Sequence, residues 1–203
     1  MNDRNSEPLR QRRQRTTRTR IIDAAIALFD TQGFAHTTVD QIAEAAEVSP
    51  RTFFRYFGTK EAVVFNRADE AEKALVKALE SRPCDEPAWV AIRHAFNYFT
   101  DPASGERTAV QESDCTRIIE HTEELRIARL LHQERLQSTV ASALLAHAER
   151  SPSLMMDQTC AESVTRAAFS CLTVAYNLAQ NGKLTLSEAL DTSMARLVGA
   201  LTA

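Results

Sequence analysis

The chain has little glycine and little proline, five and six among 203 residues. This disfavours β folds built on many tight turns, which draw on both residues. It has no apolar run near the roughly 20 residues that span a bilayer, so no membrane partner is expected. Its first twenty residues are basic and polar and lack the apolar centre of a secretory signal, so the expected location is cytoplasmic. The four cysteines, Cys84, Cys115, Cys160 and Cys171, stand far apart and form no CxxC pair. In that pattern they read as reduced thiols rather than a disulfide framework. His94, His121, His132 and His147 fall into no HExxH or Cys/His cluster, so no metal is expected. There is no glycine-rich phosphate loop and no GxSxG, lipase-like or kinase-like set. No cofactor and no enzymatic activity are therefore expected.

Charge is present and unevenly placed. The net charge of −3 hides seven arginines in residues 1–20 (Arg4, Arg10, Arg12, Arg13, Arg15, Arg18, Arg20) against Asp3 and Glu7. Residues 1–60 hold ten basic and seven acidic groups, a net of +3, and residues 61–203 hold fourteen and twenty, a net of −6. A basic end on an acidic body suits a nucleic-acid contact at one end. The arginine run alone fits a solvated tail equally well. Residues 1–15, polar, aperiodic and holding Pro8, predict a disordered basic tail.

Helical signals begin at Thr17. Ile21, Ile22, Ala25, Leu28 and Phe29 recur at spacings of three and four, and Gly33 stands where a C-cap belongs. In "HTTVDQIAEAA", Thr37 or Thr38 is an N-cap, and Gln41 lies three residues past Thr38 as in a capping box. That predicts a short helix over 39–46. Ser49 caps a third helix with Pro50 at its first position, and Gly58 ends it. Thr59 opens a fourth that runs to about Ser81, before Pro83. Further helices are predicted over 87–99, 106–121, 122–150 and 157–181, with a last one opening at Thr185 or Ser187. About nine helices and no competing strand alternation give an all-α fold.

The stretch "AEAAEVSPRTFFRYFGTKEAV", Ala43–Val63, combines arginines with aromatic rings just after a short helix. Two short helices joined by a tight turn, the second capped by Ser-Pro, describe a helix-turn-helix. Ile42, Val48 and Phe53 would close a three-helix core. Pro50, Arg51, Thr52, Phe54 and Arg55 would remain on the surface of the third helix, whose N-terminus at Ser49 suits phosphate. Arg51 can pair bidentately with guanine, and Thr52 and Phe54 can touch a thymine methyl. Tyr56, Lys60, Thr37 and Thr38 can hold the sugar–phosphate backbone. The plainer alternative is a small helical subdomain whose arginines and tyrosine face water.

The run "RIIDAAIALFDTQGFAHTTVDQIAEAAEVSPRTFFRYFGTKEAV" resembles the DNA-binding domain of the TetR family of bacterial transcriptional regulators. The likeness covers about residues 18–65 and rests on the "AxxLFxxxGFxxTTV" opening, "IAxxA", "VSPRTFFRYF" and "TKEAV". It implies a helix-turn-helix domain over 16–60 with Pro50–Tyr56 as recognition helix. It also implies an effector-binding and dimerisation domain over 61–203. The expected partners are a palindromic operator in double-stranded DNA, a second copy of the chain in a homodimer joined by the last two long helices, and an unidentified small-molecule effector that releases a repressor. One position departs from the family: Glu47 stands where glycine is usual. A residue there tends to need positive φ, so either the turn differs or strain is tolerated.

The rest of the chain displays no motif. Thr165, Arg166, Ser170 and Thr173 share one helix with Ala161, Ala167, Ala168, Cys171 and Ala175, and its small groups suit either a dimer bundle or packing within the chain. Trp89, His94, Phe96, Tyr98, Phe99, Phe169 and Tyr176 could line an apolar ligand cavity, although each taken singly is more often a core residue. Cys115 and Cys171 offer an alternative, an oxidation-sensing regulator of the same fold, although a lone helical cysteine is usually a small buried hydrophobe. From a different class, the chain could be a catalytic or adaptor protein carrying a vestigial helix-turn-helix.

Overall fold

The structure is a computed structural model, and it describes residues 9–101, 109–151, 155–180 and 182–202. Eleven helical segments and no strand occur among the described residues. They form two compact units, Met1–Arg67 with Glu106–Leu131, and Ala68–Gly105 with His132–Ala203. The first unit is thus larger than the expected 16–60, because a later stretch of chain returns to it.

In the first unit, α1 (Leu9–Gln32) is followed by α2 (Val39–Ala45), α3 (Pro50–Tyr56) and α4 (Lys60–Val64), with α8 (Ala109–Glu120) and the opening of α9 (Glu123–Glu149). α1 starts eight residues earlier than its apolar period suggests, so 9–15 is helical rather than tail; residues 1–8 lie outside the described residues. Gly33, at φ +83, ends α1 with its N–H on the Phe29 carbonyl. The core gathers Ile21, Ile22, Ala25 and Phe29 of α1 around Ile42 and Phe53, with Phe57, Val63 and Val64. Ile118, Ile119 and Leu125 join it from α8 and α9.

In the second unit, α5 (Asn66–Glu80) from Ala68 onward, α6 (Ala88–Ala95), α7 (Asn97–Thr100) and the later part of α9 accompany α10 (Gln158–Gln180) and α11 (Leu186–Thr202). α10 packs along α11 and against α6. Ala161, Ala168 and Ala175 on α10 are each 0% exposed within one chain, so this small-residue stripe serves packing inside the protomer. Arg93 ties α6 to α11, donating to Asp191 and Ser187. Near the end of α9, Arg150 donates to the Glu80 and Leu79 carbonyls at 2.8 and 3.2 Å and so satisfies the free C-terminus of α5. The buried His147 receives another Arg150 N–H at Nδ1 and therefore donates through Nε2 to the Glu86 carbonyl.

Two helices expected to be continuous are divided. The 59–81 helix breaks at Phe65 (φ −90°, ψ 8°), and the 87–99 helix breaks at Phe96 (φ −68°, ψ −3°). Both rings are buried; a local backbone adjustment of one residue turns each toward its core.

Candidate nucleic-acid interface

The approach to α3 is built from short-range bonds. Thr38 caps α2: its Oγ1 accepts the Gln41 N–H at 3.2 Å, and the Gln41 carboxamide oxygen accepts the Thr38 N–H at 2.9 Å. A seven-residue helix has little stability of its own, so these two bonds matter to its start. At its other end the Val48 N–H reaches the Ala43 carbonyl and the Glu47 N–H reaches the Glu44 carbonyl, both at 2.9 Å. That pair is a Schellman closure, and it puts the residue after the cap in the left-handed region. Glu47 occupies that place at φ +51. The turn keeps its geometry and the side chain bears the strain, which resolves the departure from glycine. The Glu47 carboxylate lies 2.6 Å from Arg20 of α1.

Ser49 then caps α3. Its Oγ accepts the Thr52 N–H at 3.1 Å and lies 2.9 Å from the Thr52 hydroxyl, with Pro50 at the first helical position. Phe53 and Phe57, one turn apart, face the core at 0% and 3% exposure. Their burial fixes the rotation of α3 and leaves Arg51, Phe54 and Arg55 outward. Phe54 is 55% exposed and meets Phe53 edge-on at 5.7 Å. The Arg55 guanidinium lies over the Tyr56 ring, 5.3 Å from its centroid. The outward surface of α3 thus has two cations one turn apart with an aromatic ring between them.

Of the ten expected DNA contacts, the structure groups Ser49, Pro50, Arg51, Phe54 and Arg55 on one exposed surface, with Thr52 and Tyr56 half-buried at its edge and Thr38 exposed at the head of α2. Two are corrected. Thr37 is 1% exposed; its hydroxyl donates to the Gly33 carbonyl at 2.8 Å and accepts from Gln32, so it fastens the end of α1. Lys60 points inward. Its ammonium donates to the Phe34 and Thr37 carbonyls at 2.7 and 3.0 Å and sits over the Phe34 ring. The attraction of an ammonium for carbonyls and an aromatic face makes it an internal tie. Arg20, which carries no expected role of its own in the sequence, reaches the turn before α3 through Glu47.

The expected ligand cavity is not assembled as predicted. Phe96 meets Phe169 and Phe99 edge-on at 5.0 and 5.8 Å, and Phe99 meets Tyr98 at 5.4 Å. With Trp89 they form part of the second core, where the rings fill the space between them. His94 and Tyr176 are exposed. A cavity of about 390 Å³ lies elsewhere in that unit, along α5 and α9, lined by Val76, Glu80, Thr139, Ser142, Ala143, Ala146, His147 and Arg150. Cys115 and Cys171 are buried in the two cores; nothing in their setting supports the oxidation-sensing alternative. No described helix is long and apolar enough to cross a membrane.

Residues 21–66 match the family described as bacterial regulatory proteins, tetR family. The HTH-type transcriptional regulator TcmR of Streptomyces glaucescens is 49% identical over 92 residues, covering 45% of this chain and 41% of TcmR, so the match spans less than half of that relative's length. The transcriptional regulator MftR of Mycobacterium tuberculosis is 30% identical over 162 residues, covering 78% of this chain and 79% of MftR. Among solved structures, Thermus thermophilus FadR, a TetR family transcriptional repressor in complex with lauroyl-CoA, is 25% identical with a TM-score of 0.52 over 89% of this chain and 93% of its own. The fatty acid degradation regulator FadR of Bacillus halodurans shares the fold, with a TM-score of 0.56 over 91% and 96% of the two chains. The relatives are regulators of transcription, and the family match over residues 21–66 takes in the capped, arginine-bearing α3: the protein belongs to the TetR family of bacterial transcriptional regulators.

Proposed function

We propose that the chain acts as a homodimeric repressor that holds a near-palindromic operator through α3 and releases it when a small molecule occupies the second unit. The observation that carries this reading is the outward row of Arg51, Phe54 and Arg55, held in one rotation by buried Phe53 and Phe57 and in one place by the Ser49 cap. Arg51, nearest the helix N-terminus, is suited to a guanine edge; Phe54 is suited to a thymine methyl. Support for a dimer comes from apolar side chains left exposed on the last two helices: Val174 and Leu178, one turn apart on α10, and Val198 on α11. Support for an effector comes from the α5–α9 cavity and from the lauroyl-CoA complex of the T. thermophilus relative.

Selection of duplexes from a random pool tests the reading. The expected product is a two-fold site whose halves are centred about 34 Å, or a multiple of that, apart. A single asymmetric half-site held by a monomer would overturn it. Once an effector is in hand, calorimetry with and without operator tests the release step. If effector weakens operator binding tenfold, operator must weaken effector binding tenfold, about 1.4 kcal/mol of coupling. Equal effector affinity in both titrations would end the ligand-release reading.

A further inference from the structure

We infer that the front of α1, ahead of the helix-turn-helix, is a second DNA-binding surface that grips phosphates flanking each half-site, with Arg12 and Arg13 at its outer end. The inference rests on the DNA-binding reading above and adds a surface to it.

From Leu9 to Ile22 the chain has six arginines and no acidic residue; Asp23 is the first acid on α1. This segment is helical, so from Arg12 onward the helix sets the side from which each arginine departs. At about 100° per residue, Arg13 and Arg20 lie within about 20° of one stripe, two turns and about 10 Å apart. That stripe has a known heading at one end. Arg20 contacts Glu47, in the turn that immediately precedes Ser49 and the recognition helix. Arg13 therefore stands two turns before the Arg20–Glu47 pair on the same side of α1, with no carboxylate between them in the sequence. Arg18, on the opposite side of α1, turns to the core, where it contacts Asn66 and covers the Phe57 ring. Arg12 and Arg13 are exposed. The threonines between them and Arg20 do not compete for a ligand through their hydroxyl hydrogens: Thr16 and Thr17 donate to the Arg12 and Arg13 carbonyls, both at 2.9 Å.

Exposed guanidiniums on a helix outside the helix-turn-helix suit phosphate, contact with which fixes register without carrying sequence information. Unlike a disordered basic tail, a helical arm delivers its charges at a set distance from the recognition helix. It should therefore act on a defined flank of the site.

The test uses the full-length chain and the duplex recovered from a random pool, in a long form and in a form trimmed to its two half-sites. Arg12→Gln with Arg13→Gln should leave the order of sequence preference unchanged. On the long duplex it should flatten the slope of log affinity against log salt by about 0.9 for each phosphate that is no longer neutralised. Trimming should weaken the wild type and leave the glutamine variant nearly unaffected. Arg12→Lys with Arg13→Lys, which keeps the charge, should restore the wild-type slope. An unchanged slope in the glutamine variant, or equal effects of trimming on both proteins, would overturn the inference. Failure of the wild type to prefer any duplex, or insensitivity of its preference to Arg51→Ala, would instead overturn the DNA-reading assignment of α3.

Discussion

The two units are built from the same kind of element and held together in different ways. In the first, short helices are pinned by side chains acting on backbone: Thr38 with Gln41, Ser49 with Thr52, and Lys60 on two loop carbonyls. In the second, long helices lie close because alanines at 161, 168 and 175 let them. A helix of seven residues cannot persist without caps, and one of twenty-three residues needs few. The unit whose task requires a fixed aim therefore carries its instructions in polar side chains at helix ends. The other relies more on shape, with Arg150 on the α5 carbonyls as a polar tie of its own.

The largest effects should come from the centres of the two cores. Phe53→Ala and Phe96→Ala each empty a fully buried site, and each should cost about 3–5 kcal/mol in chemical denaturation. A cost below about 1 kcal/mol at either position would show a looser core there than its burial indicates. Next is Arg51→Ala, expected to weaken operator binding by roughly 1–3 kcal/mol and to relax preference at one base pair per half-site. Competition binding against single-substituted duplexes measures both; wild-type affinity with wild-type preference would remove Arg51 as a base reader.

Glu47→Gly sharpens the contrast from the other side. It relieves a left-handed side chain, which costs roughly 1–2 kcal/mol, and gives up an exposed ion pair with Arg20, worth roughly 0–1 kcal/mol. The net expectation is a gain of about 0.5–1 kcal/mol in stability, read from the denaturation midpoint; a loss would mean that the Arg20 clasp outweighs the strain. The smallest effect should appear with acid in the second unit. Hydrogen bonding from Arg82 holds the Glu86 carboxyl below the ordinary carboxylate range, against the opposing pull of burial. Its folded value is depressed, so its stabilisation is present above the ordinary carboxylate range and is lost as pH falls through the lowered value. Glu86→Gln should therefore lower Tm near neutrality and flatten its fall in acid. Parallel Tm curves for the two proteins across that window would show that the pair contributes nothing.

Legibility in the sequence follows the same division. The Thr38–Gln41 box, the Ser49-Pro50 start and Gly33 are local signals, and each stands in the structure where its residues indicate. Phe65 and Phe96 give no warning of the breaks they make, because neither glycine nor proline marks them and tertiary packing sets their backbone. The helical state of 9–15 is hidden for a related reason. An apolar period reveals only helices that have a partner to pack against, and the front of α1 shows none in its sequence. The aromatic cluster around Phe96 suggests a cavity wall because ring composition does not distinguish rings that line a space from rings that fill it. Thr37 and Lys60 are misplaced by one ambiguity: a hydroxyl or ammonium near a helix start can serve a phosphate or a backbone carbonyl with the same chemistry.

The inward turn of Lys60 makes this one side chain a gauge of the fold's integrity. The chain has four lysines, and Lys73, Lys77 and Lys183 are exposed. An amine-reactive reagent applied to the native protein should label those three readily. The Lys60 ammonium, spent on two carbonyls and an aromatic face, should react only when the first unit opens. The rate of Lys60 modification, followed by mass spectrometry, would then report the opening of the DNA-binding unit in the intact protein, with no residue replaced.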